Sequence, residues 1–404
     1  MKEYRPDYSW EVRSKNSIAQ GSLTNSKRIA CLVQGIYPSH VIRSKGCFVW
    51  DSQNVKFIDY ICALGTNYLG YCNPDIQNAV LSQLHQGVSF SLSTTKEVEF
   101  AERFKEFFPA FDRIKIFKTG SDACATSLKI ARAYTNRKMV LSDGYHGNAD
   151  EFISLSEPGY GCVQKEHIAK LTDLSQITPD IAAVIVEPVI TDHSLDRRNY
   201  LEALRLACTK NGVVLIFDEV ITALRFPKHS VSNYYGVDPD LWIGGKALGN
   251  GFPLCVLAGK QDLMNCKEYF ASGTYYGEAL SLAAGLEVLN LLHNKFSTEI
   301  LWKRGIMFKT KFNEAGQGII GLEGYPTRGR FVASDLVRGL FFQEMCKAKI
   351  LIGPSWFYNF DLMDMDDIFF NVMVDIVTRI KNGCVKMEGI LPSSPFAQKM
   401  REAK

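Results

Sequence analysis

The chain has 404 residues, 46% of them hydrophobic, and a formal net charge of +3. That length buries a large core, on the usual domain size in two domains. The near-balanced charge argues against nucleic-acid or membrane-surface partners, and no apolar run reaches the ~18 residues of a membrane helix.

In chain order, CFVWDSQNVKFIDY (47–60) reads as a hairpin, two aromatic and β-branched runs flanking the polar turn DSQN. NPDIQNAVLSQLH (73–85) predicts a helix capped by Asn73 and opened by Pro74, with Ile76, Val80 and Leu84 on one face. EVEFAERFKEFFPAF (97–111) predicts another, with Val98, Ala101, Phe104 and Phe108 on one side and Pro109 helping to end it. From residue 114 the rhythm changes. Short β-like runs alternate with helical ones: IKIFK then DACATSLKIARAY, KMVLS, IAAVIVEP then NYLEALRLACTKNG, VVLIFDEV, LWIGG and LCVLAG. Near-continuous apolar strands separated by helices imply a mostly parallel α/β sheet covered on both faces. The residues before 60 and after 300 fit this rhythm less well and are expected to fold together as a smaller domain.

The opening residues carry no apolar signal-peptide core. The 11 cysteines lie scattered through apolar runs without a CxxC pair. They read as small core residues of a reducing compartment, so a cytoplasmic location is expected. The 7 histidines show no ligand-type spacing, and no metal site is expected.

Ligands of such sheets bind beyond the C-terminal strand ends, and four polar groups fall there. Thr119, Gly120 and Ser121 form a turn into a helix, where backbone N–H groups hold either a phosphate or only an ordinary cap. Tyr145 and His146 lie in a glycine-bounded loop, as a stacking surface or as plain surface. Asp218 and Glu219 end the buried run VLIF, where a carboxylate needs a partner: a protonated ring nitrogen, a metal or a helix start. Lys246 lies in GGKALGNG, as a reactive amine or a solvated loop lysine. A phosphate cradle, a stacking ring, an acid and an amine together describe a site for pyridoxal 5′-phosphate, an electron sink for the carbon bearing an amino group. GGKALGNG is not a nucleotide P-loop, because Ala247 follows the lysine.

The series KTGSDACATSLKIARAYT, YHGNAD, IVEP, IFDEVITALRF, GGKALGNGFP and SGTYYGEALSLAAG resembles the class III aminotransferases, nearest the glutamate-1-semialdehyde aminomutase type. The resemblance runs from about residue 45 to 290. It implies a fold type I pyridoxal-phosphate transferase. An N-terminal segment (1–60) would contribute to the small domain and the mouth of the site. A large cofactor-binding domain (61–295) and a C-terminal small domain (296–404) would follow. Lys246 would hold the cofactor as an imine, Asp218 would pair with its pyridine nitrogen, and Val220 and Tyr145 would pack on its two ring faces. Gly120 and Ser121 would hold the phosphate, with Thr119 and Ser121 keeping the hydroxyls of the family's SGT in the order TGS. Thr274 would reach the phosphate of a second subunit's cofactor, which implies a homodimer with shared sites. Glu187 would lie on the substrate side, and His146 would support the stacking tyrosine.

The resemblance leaves the reaction open. A compact segment after YHG, Asn148 in place of a histidine and Glu278 in place of an asparagine depart from the aminomutase pattern. They favour an aminotransferase moving nitrogen from an amino acid such as glutamate to a keto or aldehyde acceptor, for example a surface-polysaccharide sugar. Intramolecular transfer of the aminomutase type is the alternative, and a non-catalytic binding protein a minor one. For the substrate carboxylate, Arg28 is the first residue to test, against a surface ion-pair reading. Arg225 reads as a family position or a structural residue. Ser355 and Trp356 are expected to shape the pocket from the small domain.

Overall fold

The computed structural model describes residues 4–155, 161–162, 166–266 and 269–393. Part of the segment after YHG (156–160 and 163–165) lies outside the described residues, and with it the expectation that this segment is compact. The chain divides into two compact units, a smaller one of residues 1–64, 68–72 and 303–404 and a larger one of 65–67 and 73–302. No helix among the described residues is long and apolar enough to cross a membrane.

The smaller unit opens with strands β1 (Val41–Lys45), β2 (Phe48–Asp51) and β3 (Lys56–Asp59). β2 and β3 pair antiparallel, with Phe48 opposite Ile58, as the hairpin pattern predicts. Asp51 makes the turn by accepting from the amides of Gln53 (3.0 Å) and Val55 (2.8 Å).

The larger unit holds β4 (Arg113–Phe117), β5 (Met139–Asp143), β6 (Ile168–Lys170), β7 (Ile181–Val186), β8 (Val214–Glu219), β9 (Leu241–Gly244) and β10 (Cys255–Gly259). They form one sheet in the order β4-β10-β9-β8-β7-β5-β6. β9 through β6 run parallel. β10 is antiparallel to both β9 and β4, so β4 points the same way as the parallel set. This is the mostly parallel α/β sheet read from the apolar runs, with one strand reversed. Every residue of β7 and β8 is buried, which their unbroken hydrophobic runs require.

The helices begin where the chain supplies caps. Asn73 Oδ1 accepts from the amides of Asp75 (3.1 Å) and Ile76 (3.4 Å) and starts Pro74–Gln86. Thr94 and Glu97 form a reciprocal capping box, so the next helix, Thr95–Phe107, starts two residues before the predicted Glu97.

The smaller unit is completed by β11 (Gly321–Tyr325), β12 (Arg328–Val332), β13 (Ile350–Leu351) and β14 (Trp356–Phe357). β13 joins β3 in parallel, and β11, β12 and β14 form a second sheet. Its core is aromatic. Trp356 is fully buried, stacked on Tyr358 (centroids 5.3 Å apart) and on Phe308 (4.9 Å). The expectation that Trp356 shapes a pocket is therefore corrected: its indole is enclosed by other rings and presents no surface to a ligand.

Candidate active site

Five strands of the larger unit end on one edge of its sheet, and each delivers one part of the site. β4 leads into Thr119-Gly120-Ser121, β5 into Gly144-Tyr145-His146-Gly147, β7 into Glu187, β8 into Asp218 and Val220, and β9 into Lys246. Val220 is where three of them meet. A Cβ on Gly120 would stand 3.0 Å from Val220 Cγ2, and one on Gly245 would stand 3.5 Å from Val220 Cγ1. The turn, the acidic strand end and the lysine loop are therefore packed around one side chain.

Asp218 is 6% exposed. Its Oδ2 lies 2.8 Å from His146 Nδ1 and 3.4 Å from Cys124 Sγ, while Oδ1 accepts from the Val220 amide at 3.1 Å. Successive strand residues point to opposite faces, and Glu219 does a different job. Fully buried, it accepts from the amides of Val231 (2.7 Å) and Ser232 (3.0 Å) and from the Thr222 hydroxyl (2.9 Å). Burial raises its carboxyl despite these donors.

Cys124, His146 and Asp218 bring ligand-type atoms within 4.8 Å of one another, a cluster that linear spacing hides. Two ligands of one tetrahedral zinc ion, at ~2.0–2.1 Å from it, stand roughly 3.3 Å apart. The 2.8 Å His146–Asp218 separation is a hydrogen-bond length instead. As placed, the cluster is a set of donors around one carboxylate. The sequence reading of Cys124 as a plain core cysteine missed this contact.

The turn after β4 opens the helix Gly120–Thr135. Thr119 Oγ1 accepts from the Asp122 amide (3.2 Å) and donates to Asp122 Oδ2 (2.7 Å). The hydroxyl of Thr119 is thus a helix cap, and its expected place in a phosphate cradle is corrected to that extent. The first-turn amides of Gly120 and Ser121 precede the intrahelical ladder and remain suited to an anion.

The loop after β5 is seated by its backbone. The Tyr145 amide donates to Glu187 Oε1 at 2.8 Å, and the Asn148 amide donates to Ser121 Oγ at 3.1 Å. Gly147 has φ +96, and a Cβ there would stand 2.1 Å from Ser121 Oγ. The Tyr145 ring is half exposed. Burial, then the charge of Asp218, pushes its phenol up.

Lys246 is half-buried and has φ +45, opening the short turn Lys246–Gly249. Burial raises the thiol of Cys255; the charge of Asp218 adds to that and the charge of Lys246 opposes it. Acid and amine thus act on one buried thiol.

Other expected residues fall elsewhere. Arg225 is fully buried and donates to the Gly65 carbonyl at 2.7 Å, the structural one of its two readings. Thr274 is exposed and lines a groove of about 680 Å³ with Ser89, Ser91 and Tyr276. Glu278 caps the helix Ala279–Asn294 through the Leu280 amide (2.6 Å) and pairs with Lys118 (2.9 Å), which ties that segment to the turn after β4. Arg28 and Ser355 line a cavity of about 1110 Å³ in the smaller unit, where Arg28 donates to the amide oxygen of Gln20.

These residues fit pyridoxal phosphate. The glycines at 120, 147 and 245 keep space that a Cβ would fill, the helix start offers amides for a phosphate, and the Asp218 carboxyl group is held by donors in a buried place.

The comparisons with known proteins agree. A profile of the family "Aminotransferase class-III" matches residues 34–165 and 161–348. A glutamate-1-semialdehyde 2,1-aminomutase of Desulfotalea psychrophila is 32% identical over 379 residues, covering 82% of this chain and 88% of that protein. One of Syntrophobacter fumaroxidans is 28% identical over 401 residues, covering 87% and 92%. The solved FumI protein of Sphingopyxis sp. MTA144 superposes with a TM-score of 0.85 at 23% identity, over 93% of this chain and 97% of that one, a likeness of fold. The chain belongs to the class III aminotransferase family, in its glutamate-1-semialdehyde aminomutase-like subgroup, whose members are enzymes that work with pyridoxal 5′-phosphate.

Proposed function

We propose that the chain carries out intramolecular amino transfer of the glutamate-1-semialdehyde aminomutase type, moving an amino group between carbons of a single amino-aldehyde. The relatives from Desulfotalea and Syntrophobacter carry that name, and they outweigh the sequence departures that favoured a sugar aminotransferase. The structural observation behind amino-transfer chemistry is Asp218, a buried carboxylate held by three donors beside the turn that carries Lys246.

Bound pyridoxal phosphate supplies an electron sink for the carbon that bears the amino group. In our reading, Asp218 would face the ring nitrogen and keep a proton on it. Lys246 would hold the cofactor through its amine and, once the substrate amine had displaced it, the freed amine would serve as the base that moves protons. Tyr145 and Val220 would hold the ring between them. The amides of Gly120 and Ser121 would fix the phosphate, while Glu187 and His146 keep Tyr145 and Asp218 in place.

We also propose a homodimer in which Thr274 serves the partner's site. Phe90 and Leu92, lining the Thr274 groove, and Phe270 and Tyr275 nearby are exposed, Leu92 by 85%. Such residues support burial against a second copy. The 11 cysteines, free among the described residues, support a reducing compartment such as the cytoplasm.

The test is a half-reaction assay. Holoenzyme is given glutamate-1-semialdehyde alone, and nitrogen is followed with a 15N label. Isomerisation with the label retained supports the proposal. In a second arm the holoenzyme is given 15N-glutamate and a keto or aldehyde acceptor, and release of 2-oxoglutarate with label passing to that acceptor, without isomerisation in the first arm, overturns it in favour of intermolecular transfer.

A further inference from the structure

Cys124 lies in the helix Gly120–Thr135, 94 residues before Asp218, yet its sulfur is 3.4 Å from Asp218 Oδ2. The thiol is 1% exposed. Burial, and next the charge of Asp218, push it well up, so the sulfur keeps its proton and faces the carboxylate as a donor.

An aspartate's terminal torsion is broad and does not fix its carboxylate plane. Here one donor comes from the residue two places along, the Val220 amide, and one from the loop after β5, His146. Cys124 adds a third from a separate helix. A buried thiol also suits the apolar cluster it shares with Cys255, Ile216 and Ile243, because it costs less to desolvate than a hydroxyl.

We propose that Cys124 is a positioning residue for the acid of the site: its S–H locks the carboxylate of Asp218 in the orientation that meets the ring nitrogen of the cofactor. The proposal rests on the reading that Asp218 faces that nitrogen.

Apoprotein of the parent and of Cys124→Ser, Cys124→Val and Cys124→Ala is titrated with pyridoxal phosphate. Affinity is measured, together with the visible circular dichroism of the bound ring, which reports ring orientation. Melting of each apoprotein confirms that it is folded. Cys124→Ser keeps a donor and should match the parent in both. Cys124→Val and Cys124→Ala should lose about fivefold in affinity and change the dichroism. A packing role gives the opposite order, with Val nearest the parent and Ser most perturbed, and that order overturns the proposal. Asp218→Asn separates the two levels. If it weakens binding while Val and Ala match the parent, only the role of Cys124 falls. If it binds pyridoxal phosphate as tightly as the parent, the reading of Asp218 falls and the proposal with it.

Discussion

His146 Nδ1 stands 2.8 Å from Asp218 Oδ2, and its other ring nitrogen stands 3.2 Å from the Asp143 carbonyl oxygen. The imidazole thus joins the end of β5 to the end of β8, and the acid is held from a neighbouring loop. Asp218→Asn keeps the shape of this link and removes the charge. Turnover in steady-state amino transfer should fall by roughly 10²–10³. Retention of parent turnover would show that the charge is not used.

Lys246→Ala should abolish turnover while the protein still folds, because the side chain is only half-buried. Borohydride reduction followed by intact-mass measurement should add the mass of one cofactor, less the water expelled and plus two hydrogens, to the parent and nothing to the variant. A reducible adduct that persists on the variant would place the attachment on another amine.

Gly147→Ala puts a methyl group 2.1 Å from Ser121 Oγ at a backbone φ of +96. The strain should cost about 2 kcal/mol in unfolding experiments. Because Ser121 must shift, pyridoxal phosphate affinity should fall as well. Unchanged stability and affinity would mean that the contact relaxes freely.

Trp356→Ala should cost about 3–5 kcal/mol of stability, through the cavity left among Phe308 and Tyr358. KM at permissive temperature should not change. A raised KM with unaltered stability would restore the pocket-lining role.

Asp366 gives the smaller unit a dependence on pH. Burial lifts its carboxyl from 3.8 to about 6, although the Tyr358 hydroxyl and Arg304 act against the shift. A raised folded value means that the fold prefers the protonated acid. Its contribution is full below 3.8 and is lost as pH rises through about 6. The group is partly solvated, so the effect is about 1 kcal/mol. Asp366→Asn should remove this slope. Melting temperatures of parent and variant at several values across that window check it, and parallel curves would refute it.

The parts of the site were readable because each follows an apolar run that can only be a buried strand: IKIFK before Thr119, VLIF before Asp218, LWIGG before Lys246. A strand end on an α/β sheet is a place, and the polar residue after it inherits that place. What stayed hidden is contact between segments. Nothing local distinguishes Cys124 from Cys208, both buried cysteines in amphipathic helices, until the sheet brings one of them to Asp218. Thr119 was ambiguous for the opposite reason. A cap and a phosphate cradle call for the same residues, and only Asp122, bound to its hydroxyl, decides between them. Trp356 shows the same limit: its ring lies in a core assembled from residues on both sides of it, which no local pattern reveals.

Val220 packs toward Gly120, a hundred positions earlier, and toward Gly245 just beyond the next strand. No fragment of the larger unit spanning only one of these neighbours can hold the pocket. Site formation is therefore a high-contact-order event, completed only when distant strands have found their register. Cofactor capture then reports the finished fold. A ligand that binds only that state draws the whole unit toward it, by a margin that grows with the logarithm of its free concentration.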